Sequence, residues 1–193
     1  MSFFNISFLV MLILWMCIRQ FFGHPAMKDK PVKERQPKLE KFLVILNFPA
    51  LGVVPLLIIF SKWLDFASMG LPYGVRLAAW AVLILNLGLF YWCHKSLGRN
   101  WSMMLEIRKD HKLILNGPYK YVRHPMYTHF WTLMIFQGIM LDNWFLLAFG
   151  VITWGILYFL RIDQEEKMMI EEFGDEYIEY ITRTWRLVPK ITN

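Results

Sequence analysis

Residues 111–127 read HKLILNGPYKYVRHPMY, a polar, basic and aromatic stretch set between two strongly apolar segments. Gly117-Pro118 marks a turn. His124-Pro125 ends one conformation and opens another, because the residue before a proline avoids the helical region while proline suits the first helical position. With the nearby His129, the stretch holds three of the chain's five histidines. Read as the water-side floor of a site, it sorts the rest of the chain into membrane segments arranged around it.

Those segments follow from composition and length. The chain is 56% hydrophobic and 17% aromatic, above the apolar share of ordinary globular proteins, and its apolar residues come in blocks. About 20 apolar residues in a helix cross the roughly 30 Å hydrocarbon core. Upstream, blocks 3–22, 42–60 and 73–93 meet that length. Downstream, 126–141 and 144–160 form a hairpin turned by Asp142-Asn143, and at roughly 25 Å each they barely span. The first block lacks the charged start and small-residue cleavage site of a signal peptide, so it reads as a retained helix. Pro49 and Pro55 inside the second block predict a kink whose freed carbonyls must find partners on neighbouring helices. After Arg161 the chain turns amphipathic, with a helix expected over 162–184 and a break at Gly174-Asp175. The expected fold is an all-α integral membrane protein: five transmembrane helices, a cytoplasmic cofactor-binding insert and an amphipathic C-terminal helix. Residues 1–193 read as one domain, with three spans in 1–93 and the site-bearing half in 94–193.

Of the 21 Lys and Arg residues, all but Lys62 and Arg76 fall in the first loop, the insert, the C-terminal region or the helix ends touching them. With five spans these share one side. The positive-inside rule then puts the N-terminus outside and the C-terminus and insert in the cytoplasm. The formal charge of +6 is explained by the cytoplasmic face of a protein whose partner is the lipid bilayer, and nucleic acid is not needed. Cys17 and Cys93 both lie in apolar blocks, which excludes a disulfide framework or a CxxC site. No fixed-period repeat favours an inverted-repeat transporter.

Three groups of residues are candidates for chemistry. His111, Lys112, Tyr119, Arg123, His124 and Tyr127 form either a juxtamembrane basic-aromatic belt or a ligand site. The tight turn into a Pro-started helix favours the site, since a helix N-terminus offers free N–H groups. Arg161 and Glu165 are four apart and share a helix face, which as a surface pair is worth under about 1 kcal/mol. Glu165 and Glu166 are adjacent and cannot both point along one face, so one of them looks toward a neighbour, and the insert is the basic neighbour on that side. His129 and Gln137 lie at membrane depth, where a polar residue marks a site or serves as interhelical glue. His124 and His129 are five apart with no third ligand, so no metal site is expected.

Taken together, G-P-Y-x-Y-V-R-H-P-x-Y over 117–127, E-E at Glu165-Glu166, F-G-x-x-Y-x-x-Y over 173–180 and R-x-x-P over 186–189 resemble the isoprenylcysteine carboxyl methyltransferases. More broadly they resemble the membrane methyltransferases that include phospholipid methyltransferases. The resemblance covers roughly the second half of the chain, and the size and layout are similar to short prokaryotic members. One position departs: His129 stands where the family often has glycine, which alters a pocket wall. The resemblance implies S-adenosyl-L-methionine as cofactor. It implies that His111, Lys112, Leu113, Tyr119, Val122, Arg123, His124, Pro125, Met126 and Tyr127 line it, with Glu165 or Glu166 on its amino group. It also implies Arg161 and Arg123 as the catalytic arginines at the methyl-acceptor end, with His129 and Arg161 toward the acceptor. The implied reaction is methyl transfer to the carboxylate of a lipophilic acceptor such as a C-terminal isoprenylcysteine. A phospholipid or other lipid N-methyltransferase, a membrane scaffold and a transporter remain as alternatives.

Overall fold

A computed structural model describes residues 1–26, 31–34, 37–98, 106–108 and 112–190. The helices are α1 (Phe3–Ala26), α2 (Pro37–Phe48), α3 (Val54–Phe60), α4 (Tyr73–Leu97), α5 (Pro125–Met140), α6 (Trp144–Phe173) and α7 (Asp175–Arg183). Among the described residues the fold is helical apart from one ribbon: β1 (Pro31–Glu34) pairs antiparallel with β2 (Glu106–Arg108). That short ribbon is an addition to the expected all-α architecture. It joins the first loop to the insert at one end of the bundle.

Among the described residues four stretches are long and apolar enough to cross a membrane: Phe3–Phe22, Lys38–Phe60, Tyr73–Leu97 and Trp144–Phe173. The chain is thus built as an integral membrane protein. The two arms of the hairpin differ more than their apolar blocks suggest. α5 has 16 residues and reaches about 24 Å, whereas α6 has 30 and reaches about 45 Å. Beyond Leu160 the residues are mostly good helix formers, so α6 runs on until Gly174, at φ +54°, stops it. Arg161, Glu165 and Glu166 therefore stand on a rigid extension of a membrane helix. Leu85 at 76% exposure and Phe159 at 72% point outward from α4 and α6, as a lipid-facing surface requires.

The proline-bearing segment shows how sequence sets the bend. Between α2 and α3 the chain makes a π-helical turn, Pro49–Val53, in which the Val54 N–H donates to Pro49 O. The next donor in that register belongs to Pro55, which has none, so Ala50 O is left over. Gln137 Nε2 on α5 donates to it at 3.1 Å. The glue reading of Gln137 is what the bend demands.

α5 packs against both α4 and α6, and α1 against α4. At Gly138 an added Cβ would lie 2.7 Å from the Leu147 backbone, so only glycine allows the hairpin arms this close. In the turn, Asp142 (φ +57°) accepts from Leu71 N at 2.9 Å and Ser68 Oγ at 2.8 Å. Asn143 caps α6 by accepting from Leu146 N at 2.9 Å. The α3–α4 connection and the hairpin turn thus share the end of the bundle away from the ribbon.

Candidate active site

The floor of the site is built by residues 117–128. Gly117 has φ +59°, and a Cβ there would sit 2.1 Å from Ser96 Oγ. Glycine therefore seats the turn against the last turn of α4. After the 3-10 turn Gly117–Lys120, Val122 pairs in parallel with Trp185. Arg123 N–H donates to Trp185 O and His124 N–H to Arg186 O, each at 2.9 Å. Thr128 Oγ1 donates to Leu187 O at 2.6 Å. The segment after α7 is thus a strap across the Arg-His-Pro turn. Tyr180 on α7 donates to Tyr119 O at 2.5 Å and Val122 O at 3.2 Å. Burial raises the pKa of its hydroxyl, which keeps it a donor.

Above this floor lies a cavity of about 230 Å³. Lys112, Leu113, Tyr119, Met126 and Tyr127 form one side, with Arg123 and His124 at its edge. Arg161 and Glu165 of α6 face them. Trp15 and Arg19 of α1 and Val44 and Asn47 of α2 complete the wall, so the cavity draws on both halves of the chain. Val122 and Pro125 are buried and are not among the lining residues. His111 lies outside the described residues.

The two adjacent acids part company. Glu165 lines the cavity, accepting from Tyr127 Oη at 2.6 Å. Glu166 is a clasp: Arg123 Nε is 3.1 Å from its Oε1, Arg186 Nη2 2.7 Å from its Oε2 and His124 Nε2 3.1 Å from its Oε1. Arg123 Nη1 also donates to Ile181 O at 3.2 Å and to Thr184 O, tying the end of α7 to the floor. Arg161 is held differently. Its Nη1 is 3.2 Å from Glu40 Oε2 and its Nε 3.6 Å from Glu165 Oε2. Glu40, at 3% exposure, is the charged partner of Arg161 that sequence reasoning missed, as it missed Trp15, Arg19, Val44 and Asn47 in the cavity wall. In Lys38-Leu39-Glu40-Lys41 it reads as part of a solvated loop, and only the docking of α2 on α6 buries it.

His124 stands between the acids, with Nδ1 3.7 Å from Glu165 and Nε2 3.1 Å from Glu166. Burial opposes its charging, but hydrogen bonds and the charges of both glutamates outweigh it and raise its pKa above 6.5. A raised value means that protonation stabilises the fold. That contribution is complete below the unfolded pKa near 6.5 and is lost as pH rises through the folded value. The melting temperature in detergent is therefore expected to fall on the alkaline side of pH 6.5, and His124→Asn should flatten this slope. An unchanged slope in the variant would show that another group carries it.

His129 is away from the main cavity, on the wall of a smaller one. Its Nδ1 is 3.2 Å from Asn86 O and its Nε2 3.2 Å from Trp15 Nε1.

Residues 78–171 match the isoprenylcysteine carboxyl methyltransferase family. Over 97 residues the chain is 33% identical to the protein-S-isoprenylcysteine O-methyltransferase of Dictyostelium discoideum, covering 49% of this chain and 40% of that protein. Over 95 residues it is 35% identical to protein-S-isoprenylcysteine O-methyltransferase B of Arabidopsis thaliana, covering 48% of each. The chain thus spans less than half the length of these relatives. Among solved structures it resembles the eukaryotic intramembrane Ras methyltransferase ICMT. There the TM-score is 0.55 at 23% identity, over 83% of this chain and 55% of that one, which shows a shared membrane fold.

Proposed function

We propose, from the family match over residues 78–171, that this chain transfers a methyl group from S-adenosyl-L-methionine to the carboxylate of a lipophilic acceptor such as a C-terminal isoprenylcysteine. The product is a methyl ester. The observation that carries the reading is Arg161 in the wall of the cavity beside Glu165, inside the matched region and where the apolar part of α6 gives way to its charged extension.

The residues suit the cofactor. A sulfonium with an amino group is cationic, and the cavity presents the Glu165 carboxylate among the rings of Tyr119, Tyr127 and Phe130, which attract cations through their faces. We assign the amino group to Glu165 and the clasp of the floor to Glu166. When bound, S-adenosyl-L-methionine supplies an electrophilic methyl group. The chain's task is then positioning and exclusion of water. An α-carboxyl with pKa near about 3.5 is ionised at neutral pH, so no general base is required. A guanidinium holds a desolvated carboxylate through its rigid fork. Arg161 is the candidate for this. Arg123, whose Nε and Nη1 are committed to Glu166, Ile181 and Thr184, is the brace of the floor.

The reading places the ribbon and the cavity on the cytoplasmic side, with the N-terminus outside and α5 completing five membrane segments. The clustering of the basic loops at the ribbon end supports it. A lipid N-methyltransferase is the second reading. It is favoured by the two carboxylates, Glu40 and Glu165, that flank Arg161 and offset its charge toward an amine. Calorimetric binding of S-adenosylhomocysteine, followed by radiolabelled methyl transfer to prenylcysteine and to aminolipid acceptors, decides between them. Base-labile label on prenylcysteine supports the first reading, and label on the aminolipid alone overturns it.

A further inference from the structure

Deeper in the bundle than the main cavity is a second one of about 40 Å³, lined by Met11, Leu83, Leu133, Asn86, His129 and Gln137. Trp15 and Leu51 belong to both walls. The indole is the larger part of the partition, and it is held from several directions. Its Nε1–H donates to His129 Nε2 at 3.2 Å. An indole nitrogen only donates, so His129 Nε2 is the acceptor and Nδ1–H donates to Asn86 O at 3.2 Å. Asn86 Nδ2 returns a bond to His129 O at 3.1 Å, closing a reciprocal clasp between α4 and α5. Phe90 stacks on the indole at 5.1 Å and 14°, and the Arg19 guanidinium carbon lies 5.3 Å from its centroid.

We propose that Trp15, locked by His129, is the end wall of the acceptor channel and sets the length of hydrocarbon the site accepts. This rests on the carboxyl methyl transfer proposed above. Both sides of the indole suit hydrocarbon. On the near side an apolar tail meets rings and aliphatic groups, Phe130, Leu157 and Val44. On the far side Met11, Leu83 and Leu133 line the smaller cavity, and the side-chain oxygens of Asn86 and Gln137 are themselves buried. The held indole is therefore the barrier between a tail on the near side and further apolar space.

The test compares wild type and Trp15→Ala on geranyl, farnesyl and geranylgeranyl cysteine analogues, with S-adenosylhomocysteine calorimetry as the check on folding. In a hydrophobic pocket one methylene is worth about 10–200-fold in discrimination. The ratio of kcat/KM for the longest to the shortest prenyl group is therefore expected to rise at least about tenfold in the variant. Trp15→Leu, which keeps the helix contact with a smaller side chain, gives the same comparison if the alanine variant loses S-adenosylhomocysteine binding. An unchanged ratio in a variant that still binds S-adenosylhomocysteine overturns the end-wall assignment and leaves the methyl transfer reading standing. Wild-type protein that methylates none of the three analogues overturns both.

Discussion

Arg161→Lys is expected to lower kcat/KM for a carboxylate acceptor by about 10²–10³-fold, the effect of losing one preorganised donor to reacting charge, while S-adenosylhomocysteine binding changes less than about tenfold. The asymmetry follows from how Arg161 is used. Its Nη1 and Nε reach Glu40 and Glu165, and a planar fork holds its partners in one fixed plane. A lysine ammonium is a point charge on a flexible stem. It keeps the local charge balance and so spares the fold, but it does not hold an acceptor carboxylate in one orientation. Alanine is the poorer test, because it takes a cationic partner from the buried Glu40 carboxylate, and breaking a buried pair costs about 3–5 kcal/mol. Turnover and cofactor binding that fall in parallel in the lysine variant would move Arg161 from the acceptor side to the cofactor side.

The second large effect is structural. Glu166→Ala removes the common partner of Arg123, His124 and Arg186. Uncompensated buried charge costs about 3–5 kcal/mol. Arg186 is partly exposed, with 39% of its side chain accessible, which places the loss near the lower end, about 3 kcal/mol. For a chain of this size that is a fall on the order of 10 °C in melting temperature. Loss of S-adenosylhomocysteine binding should accompany it, because the floor and the strap separate. Glu165→Gln makes the contrast: it should weaken S-adenosylhomocysteine binding with a much smaller change in melting temperature. Equal melting temperatures for the two variants would contradict the division of labour between the adjacent acids.

How far these roles were legible in the sequence depends on the distance over which each is set. The apolar blocks are local, and they gave the membrane helices, the hairpin turn at Asp142-Asn143 and the break at Gly174. The prolines foretold a bend, and with it the need for a group such as Gln137. Block length misjudged α6, because an apolar count ends at Leu160 while helix propensity carries the backbone to Phe173. It also missed the ribbon, whose two strands are short and lie far apart in the sequence. That Glu165 and Glu166 differ was legible from helix geometry. Which one faces the cavity was not, since that depends on where α5 and the strap pack. Glu40 was hidden for the same reason. Trp15 is one of nine tryptophans, inside a block where any aromatic looks like filling. Only the meeting of α1 with His129 singles it out. Arg186 stood in a motif, but its partners are twenty and more residues upstream.

The strap has a consequence for biogenesis. Trp185, Arg186 and Leu187 accept from Arg123, His124 and Thr128, so a nascent chain whose membrane helices are all inserted still has no finished floor. Synthesis is vectorial and proceeds at about 5–20 residues per second, and the pieces that close the floor emerge from the ribosome after everything they fasten. Half-made chains in the bilayer thus lack the strap that closes the cavity floor. A stop shortly before Trp185 should yield an inserted protein with an unfinished floor, and S-adenosylhomocysteine calorimetry on it is expected to show no binding.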